Sequence, residues 1–272
     1  MSYRTLLVDH AGAILTVTIN RPDKRNALCD VVLGELAELC ASLARRPELR
    51  GMILTGAGER AFVAGADIAR MAEMTPDEGA AFGRLGQCVT ELVEALPFPV
   101  IACVNGYALG GGCELAMSAD FIYATARAVF GQPEVSLGLI PGFGGCVRLG
   151  RFVGPGRAKE LIYSGRTVAA DEALRIGLVN AVFSTKAAML EAAVATLGEI
   201  GRRSPVAVAL CKDVLRSLEG KSTAERLAVE ATAFRRAFES PDKREGVAAF
   251  VAKRPPVFPG HVAGRIASRQ EL

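Results

Sequence analysis

Val104-Asn105-Gly106-Tyr107-Ala108-Leu109-Gly110-Gly111-Gly112-Cys113-Glu114-Leu115-Ala116 reads as a buried strand, a turn, three consecutive glycines and the start of a helix. Glycines accept positive φ and let a ligand or another backbone approach bare main chain. The first N–H groups of a helix have no intrahelical acceptor, and the macrodipole adds about half a positive charge there. Such a place can hold a phosphate, a carboxylate or an oxygen that gains negative charge during a reaction. The same triplet would also serve two backbones that only need to pack closely. A phosphate loop is excluded, because no Gly-Lys-Ser/Thr follows.

Outward from this stretch, short apolar runs alternate with helical periodicity. Tyr3 to Asp9 and Ala13 to Ile19 predict a hairpin. Val31, Leu33, Leu36, Leu39, Cys40 and Leu43 recur at helical spacing over 30–45, and 51–56 is a short buried strand closed by glycine. A helix over 80–96 ends at Pro97 and Pro99 before a strand over 100–104. A helix over 110–118 precedes another strand over 120–124. Continuous apolar strands alternating with helices predict an α/β architecture, its strands covered on both faces. From about residue 155 the strand signal fades. Helices are expected over 156–164, 169–176, 186–202, 205–219 and 224–238, with a further start at Ser240-Pro241-Asp242. The final dozen residues, polar and small, read as a loose tail.

Composition narrows the class. A chain of 272 residues, half of them apolar, can bury a substantial core. A net charge of +3 is too small to imply a nucleic-acid partner, and the pairs Lys24-Arg25, Arg45-Arg46, Arg202-Arg203 and Arg235-Arg236 are scattered. No apolar run approaches the length of a membrane span, and Met1 to His10 lacks the pattern of a secretory signal, so a cytoplasmic protein is expected. Seven cysteines, an odd number without a CxxC pair, predict buried reduced thiols. His10 and His261 sit near opposite ends, which argues against a histidine-based zinc site or a Ser-His-Asp triad.

A second loop, Ala61-Phe62-Val63-Ala64-Gly65-Ala66-Asp67-Ile68, leads from an apolar segment into a short helical run through Met71. Ala66 can present its N–H to a ligand, though an ordinary helix start with Asp67 as favourable first-turn charge fits equally. Two such loops in one α/β core can supply the paired donors of an oxyanion hole. Two acids accompany them. Glu114 follows the glycines, and Glu134 lies in the apolar, glycine-punctuated stretch Phe130-Gly131-Gln132-Pro133-Glu134. They can divide into general base and general acid if burial raises one pKa. From spacing alone, a helix-capping Glu114 and a surface Glu134 fit as well.

Taken together, Asn20-Arg21-Pro22 with Asn26-Ala27-Leu28, Ala64-Gly65-Ala66-Asp67-Ile68, Asn105 to Leu115, Phe130 to Glu134, Gly138-Leu139-Ile140-Pro141-Gly142, and Glu245 to Phe250 with Lys253-Arg254-Pro255 resemble the crotonase (enoyl-CoA hydratase/isomerase) superfamily. The likeness covers nearly the whole chain in the right order. It implies a spiral of repeated ββα units over 1–195 and a C-terminal α-helical oligomerisation region over 196–272 that builds homotrimers or homohexamers. It implies acyl-CoA thioester substrates and no separate cofactor, coenzyme A being part of the substrate. The oxyanion hole maps onto the N–H groups of Ala66 and Gly111. Glu114 would deprotonate water for attack at Cβ, and Glu134 would protonate Cα, as in hydratases. An isomerase or another acyl-CoA lyase of the family is the alternative, with RNA binding, known in one branch, a more distant one.

The resemblance also marks the substrate path. Lys24 and Arg25 are expected at the adenine end. Ala27, Ala64, Asp67, Ile68, Leu109, Gly110, Pro133, Gly142 and Phe250 lie in matching motifs, and Lys253 is expected to reach a neighbouring subunit's ligand. Where relatives carry a phosphate-binding lysine this chain has Ala69, and Arg70 is expected to substitute, with the different aim of a planar guanidinium. Met71, Met74, Phe82 and Leu85 fit either an acyl tunnel or plain core. Phe143 reads as a tolerated variation without mechanistic consequence.

Overall fold

The computed structural model describes residues 3–260, so the tail expected over the final dozen residues lies outside the described residues. The chain opens with β1 (Leu6–Ala11) and β2 (Ile14–Ile19), paired antiparallel as the sequence predicts, with Gly12 at φ 62° in the two-residue turn. There follow α1 (Asp30–Leu43), β3 (Gly51–Gly56), β4 (Ala61–Val63), α2 (Ile68–Met71) and α3 (Pro76–Glu94). Then come β5 (Val100–Val104), β6 (Tyr107–Leu109), α4 (Gly111–Met117), β7 (Phe121–Thr125) and β8 (Val129–Gly131). The remainder holds α5 (Gly145–Val153), α6 (Pro155–Ser164), β9 (Thr167–Ala169), α7 (Ala170–Arg175), β10 (Ala181–Phe183), α8 (Lys186–Gly201), α9 (Pro205–Ser217), α10 (Thr223–Glu239) and α11 (Pro241–Val251).

Two sheets grow in step. One has the order β1-β2-β3-β5-β7-β10, parallel beyond the hairpin, and the other β4-β6-β8-β9, with β9 antiparallel. The units β3–β4, β5–β6 and β7–β8 each add one strand to each sheet, which makes the chain a spiral of ββα turns. Strands β3 and β5 are buried at every position, as strands covered on both faces must be. The main core joins Leu15, Val17, Leu54, Val104 and Phe130 of the strands to Leu36 of α1, Val89 of α3 and Leu115 of α4. On the opposite face of the larger sheet, Ile53, Ile101 and Cys103 pack against Met189, Ala193 and Leu197 of α8.

Helix α3 begins at Pro76, earlier than its periodicity suggests. Thr75 and Glu78 form a reciprocal capping box, and Pro76 stands at the first helical position. The expectation that strands fade after residue 155 is corrected. Strand β9 pairs with β8 and β10 with β7; three residues carry too little periodicity to show in one dimension, and their partners define them. The boundary expected at 195/196 falls inside α8, a continuous helix that packs on both β3 and β10. Helices α10 and α11 leave Leu227, Phe234, Phe238, Val247 and Phe250 exposed. The cysteine expectation needs one correction: all seven are free, but Cys146 and Cys211 are exposed. No helix among the described residues is long and apolar enough to cross a membrane.

Candidate active site

Strands β4 and β6 are parallel neighbours, so the loops that leave their C-terminal ends depart side by side. A Cβ built on Gly112 would lie 2.0 Å from the Val63 carbonyl oxygen, and one on Gly65 would lie 3.4 Å from that of Leu109. The head of α4 is therefore pressed against the end of β4. Leu28 joins the two loops. Its N–H donates to Gly65 O at 2.9 Å and its carbonyl accepts from Asp67 N at 2.8 Å, an isolated parallel bridge centred on Ala66. In a parallel bridge the central residue's own N–H points away from its partner, which turns the Ala66 N–H outward. The Leu28 side chain lies 3.3 Å from where a Cβ on Gly111 would sit. Gly111 is the first residue of α4, so its N–H has no intrahelical acceptor. Two donors from separate loops thus border the same leucine.

Gly110, the residue before α4, has φ 49° and ψ −123°, a conformation open essentially to glycine alone. A Cβ there would also meet Glu134 Oε1 at 2.5 Å. Glu134 opens the short 3₁₀ turn Glu134–Leu137, and Gln132, its amide nitrogen turned toward the carboxylate, donates to Oε2 at 3.2 Å. Burial pushes the Glu134 carboxyl upward, opposed by its own backbone N–H.

Glu114 lies further along α4 and is wholly buried. Its Oε1 accepts from Phe143 N at 2.8 Å and Gly145 N at 2.6 Å, while Oε2 is buried without a hydrogen-bond partner. Burial pushes the carboxyl up to about 7; the Gly145 N–H pulls it down and the negative charge of Glu134 pushes it up again. A buried carboxylate oxygen without a partner is costly unless a ligand or water meets it. The acid is oriented on one side and left open on the other.

The remaining expected residues divide into two sets. Ala64 N donates to Arg25 O at 3.1 Å, and Arg25 has φ 50°, so the 24–28 loop lies against the 64–68 loop. Arg21 reaches Ala27 O at 2.5 Å and Asp67 at 3.3 Å, fastening those loops to each other. Lys24 and Ile68 are exposed along this edge, and Arg70 is exposed with its guanidinium 3.6 Å from Asp30. Leu109 and Pro133 flank the glycines and Glu134, and Gly142 O accepts from Gln87 at 2.9 Å. Phe250 and Lys253 belong to the other set. They stand on and just beyond α11, exposed, and neither is buried against this cluster within the single chain.

Sequence reasoning missed the braces. Asn105, buried, accepts from Gly56 N and donates to Gly58 O and Ala61 O, while Asn26 donates to Ala57 O and Ala61 O. Two buried asparagines tie the β3–β4 connection to the strands beside the site. The amides of Phe143 and Gly145 leave no mark in side-chain chemistry. For Gln132, two residues before Glu134, the one available signal was a polar residue in an otherwise apolar stretch.

Two N–H donors beside two carboxylates, one of them with a free buried oxygen, form a site that can polarise a carbonyl and move protons at the adjacent carbons. Comparison with known proteins agrees with that class. The family model for enoyl-CoA hydratase/isomerase matches residues 9–261, and the chain belongs to that family. It is 45% identical over 254 residues, 93% of this chain and 97% of the relative, to the short-chain-enoyl-CoA hydratase of Clostridium acetobutylicum. It is 43% identical to the crotonyl-CoA hydratase of Syntrophomonas wolfei over the same shares of both chains. Among solved structures, an enoyl-CoA hydratase from Bacillus anthracis superposes with a TM-score of 0.91 at 37% identity, covering 94% of this chain and 100% of that one.

Proposed function

We propose that the chain is an enoyl-CoA hydratase, adding water reversibly and syn across the double bond of a trans-2-enoyl-CoA to give the 3-hydroxyacyl-CoA. The thioester oxygen sits between the Ala66 and Gly111 N–H groups and gains enolate charge as water attacks Cβ. Removing one such donor typically costs about 10²–10³-fold in rate. Glu114 accepts the water proton and Glu134 delivers a proton to Cα, so the pair starts and ends with one proton between them. Burial raises both carboxyls, which favours keeping one proton between them. The observation that carries the reading is the uncommitted, buried Glu114 Oε2 with Glu134 close enough to perturb it.

The chemistry calls on no metal or redox group, and activity is expected to survive exhaustive treatment with a chelator. Lys24 and Arg25, both exposed, would meet the nucleotide end of the ligand. The exposed apolar side chains of α10 and α11 support a homotrimer, or a hexamer of two trimers, in which Lys253 and Phe250 reach a neighbour's site. Seven free thiols suit a reducing compartment, the cytoplasm.

Incubation of crotonyl-CoA in heavy-oxygen water tests the reaction type. One labelled oxygen per 3-hydroxybutyryl product is the expected result. An isomerised, unlabelled product from a 3-enoyl thioester, with no hydration of crotonyl-CoA, would replace the hydratase by an isomerase.

A further inference from the structure

Phe143 lies in the loop that binds Glu114, and its ring reaches from that loop to α3 and the head of α4. Its N–H donates to Glu114 Oε1 at 2.8 Å, so the residue is fixed beside one acid. The edge of its ring lies 3.0 Å from where a Cβ on Gly111 would sit, which puts the same side chain against the oxyanion donor. On α3, a Cβ on Gly86 would fall 2.1 Å from the ring, so that glycine leaves the room the ring takes. Phe82 meets it edge-on, ring centres 5.4 Å apart. Thr90 Oγ1 at 3.1 Å and Arg148 Nη1 at 2.9 Å both donate to the Phe143 carbonyl, and Gln87 holds the preceding carbonyl of Gly142. The ring is nearly fully buried and its loop is clamped to α3.

We infer that Phe143 is the specificity determinant for acyl length, closing the pocket just beyond Cβ and restricting the enzyme to short enoyl thioesters. The inference rests on the hydratase reading. With the thioester oxygen at Gly111 and Cβ beside Glu114, the next acyl carbons leave past the side chain that borders Gly111 and is carried on the residue whose N–H holds Glu114. That side chain is Phe143. Phe82 stands against it, and the partly buried Met71, Met74 and Leu85 pack on the same apolar core, which is suited to methylenes once the ring is removed. Sequence reading assigns Phe143 no mechanistic consequence, and the proposed role adds a steric one: the ring occupies volume that a longer acyl chain would need.

The test is kcat/KM for trans-2-enoyl-CoA substrates of four, six, eight and ten carbons, with wild type, Phe143→Ala and Phe143→Leu. Both substitutions keep the backbone N–H that binds Glu114, and the leucine variant covers the case in which the larger cavity unfolds the chain. A methylene in an apolar pocket is worth about 10–200-fold in specificity. Wild type is expected to lose at least about tenfold between four and eight carbons. Phe143→Ala should raise the eight-to-four ratio by about tenfold or more, and Phe143→Leu by less. An active wild type that handles ten carbons as well as four, or variants with unchanged ratios, would overturn the inference alone. A wild type inert on every thioester would overturn the hydratase reading and this inference with it.

Discussion

Replacing Glu114 by Gln should make the protein slower and should raise its stability relative to wild type progressively as pH climbs from 4.5 to 8. The carboxyl rises from 4.5 to about 7 on folding, chiefly through burial. Between those values the folded chain keeps a proton that the unfolded chain has already released. Stability therefore declines as pH rises through this window, and the full deficit is present above pH 7. Each pH unit between the two states is worth 1.36 kcal/mol, so the buried charge costs roughly 3 kcal/mol at pH 8 and little near pH 4.5. A glutamine carbonyl can still accept from Phe143 N and Gly145 N, which preserves the loop while removing the charge. Urea unfolding of both proteins at several pH values and one protein concentration measures the effect. The advantage of Glu114→Gln over wild type should grow by about 3 kcal/mol from pH 4.5 to pH 8, whatever its absolute value. A difference that stays flat with pH, or grows on acidification, would refute the idea that burial holds this acid near neutrality.

Other substitutions probe the remaining parts of the site. Gly110→Ala places a methyl 2.5 Å from Glu134 Oε1 in a strained backbone conformation, so kcat should fall about 10²–10⁴-fold with KM changed far less. Arg148→Met removes a positive charge that favours ionised Glu114 and leaves Glu94 only its 4.0 Å contact with Arg151. The acid limb of kcat/KM should move to higher pH, and stability should drop by about 3 kcal/mol in urea titrations. Asn105→Ala strips hydrogen bonds from the β3–β4 connection and should cost about 2–3 kcal/mol, read by the same titration, with a lower kcat because Ala66 lies downstream of the loosened turn.

Much of this was legible in one dimension, for physical reasons that also explain the gaps. Strands β3 and β5 announce themselves as unbroken apolar runs because both faces are covered. The triplet at 110–112 marks a backbone passage too tight for side chains, which Gly112 against Val63 bears out. Strands β6, β8, β9 and β10 are only three residues long and are held by neighbours distant in sequence, so no local pattern reveals them. The two asparagines are silent for the same reason: Asn105 and Asn26 both reach Ala61 O, a convergence that exists only after folding. The room that the Phe143 ring takes is equally invisible locally, because it depends on the absence of side chains at Gly86 and Gly111, both far from it in sequence.

On the proposed mechanism, Glu114 and Glu134 work on one water beside one polarised carbonyl. The most direct measurement is a double-mutant cycle on crotonyl-CoA hydration, comparing kcat for wild type, Glu114→Gln, Glu134→Gln and the double variant. Each single change should cost about 10²–10⁴-fold, and the double variant should be scarcely slower than the worse single, because removing either acid already disables the shared step. Full additivity of the two losses, or a single variant that retains wild-type kcat, would contradict the account.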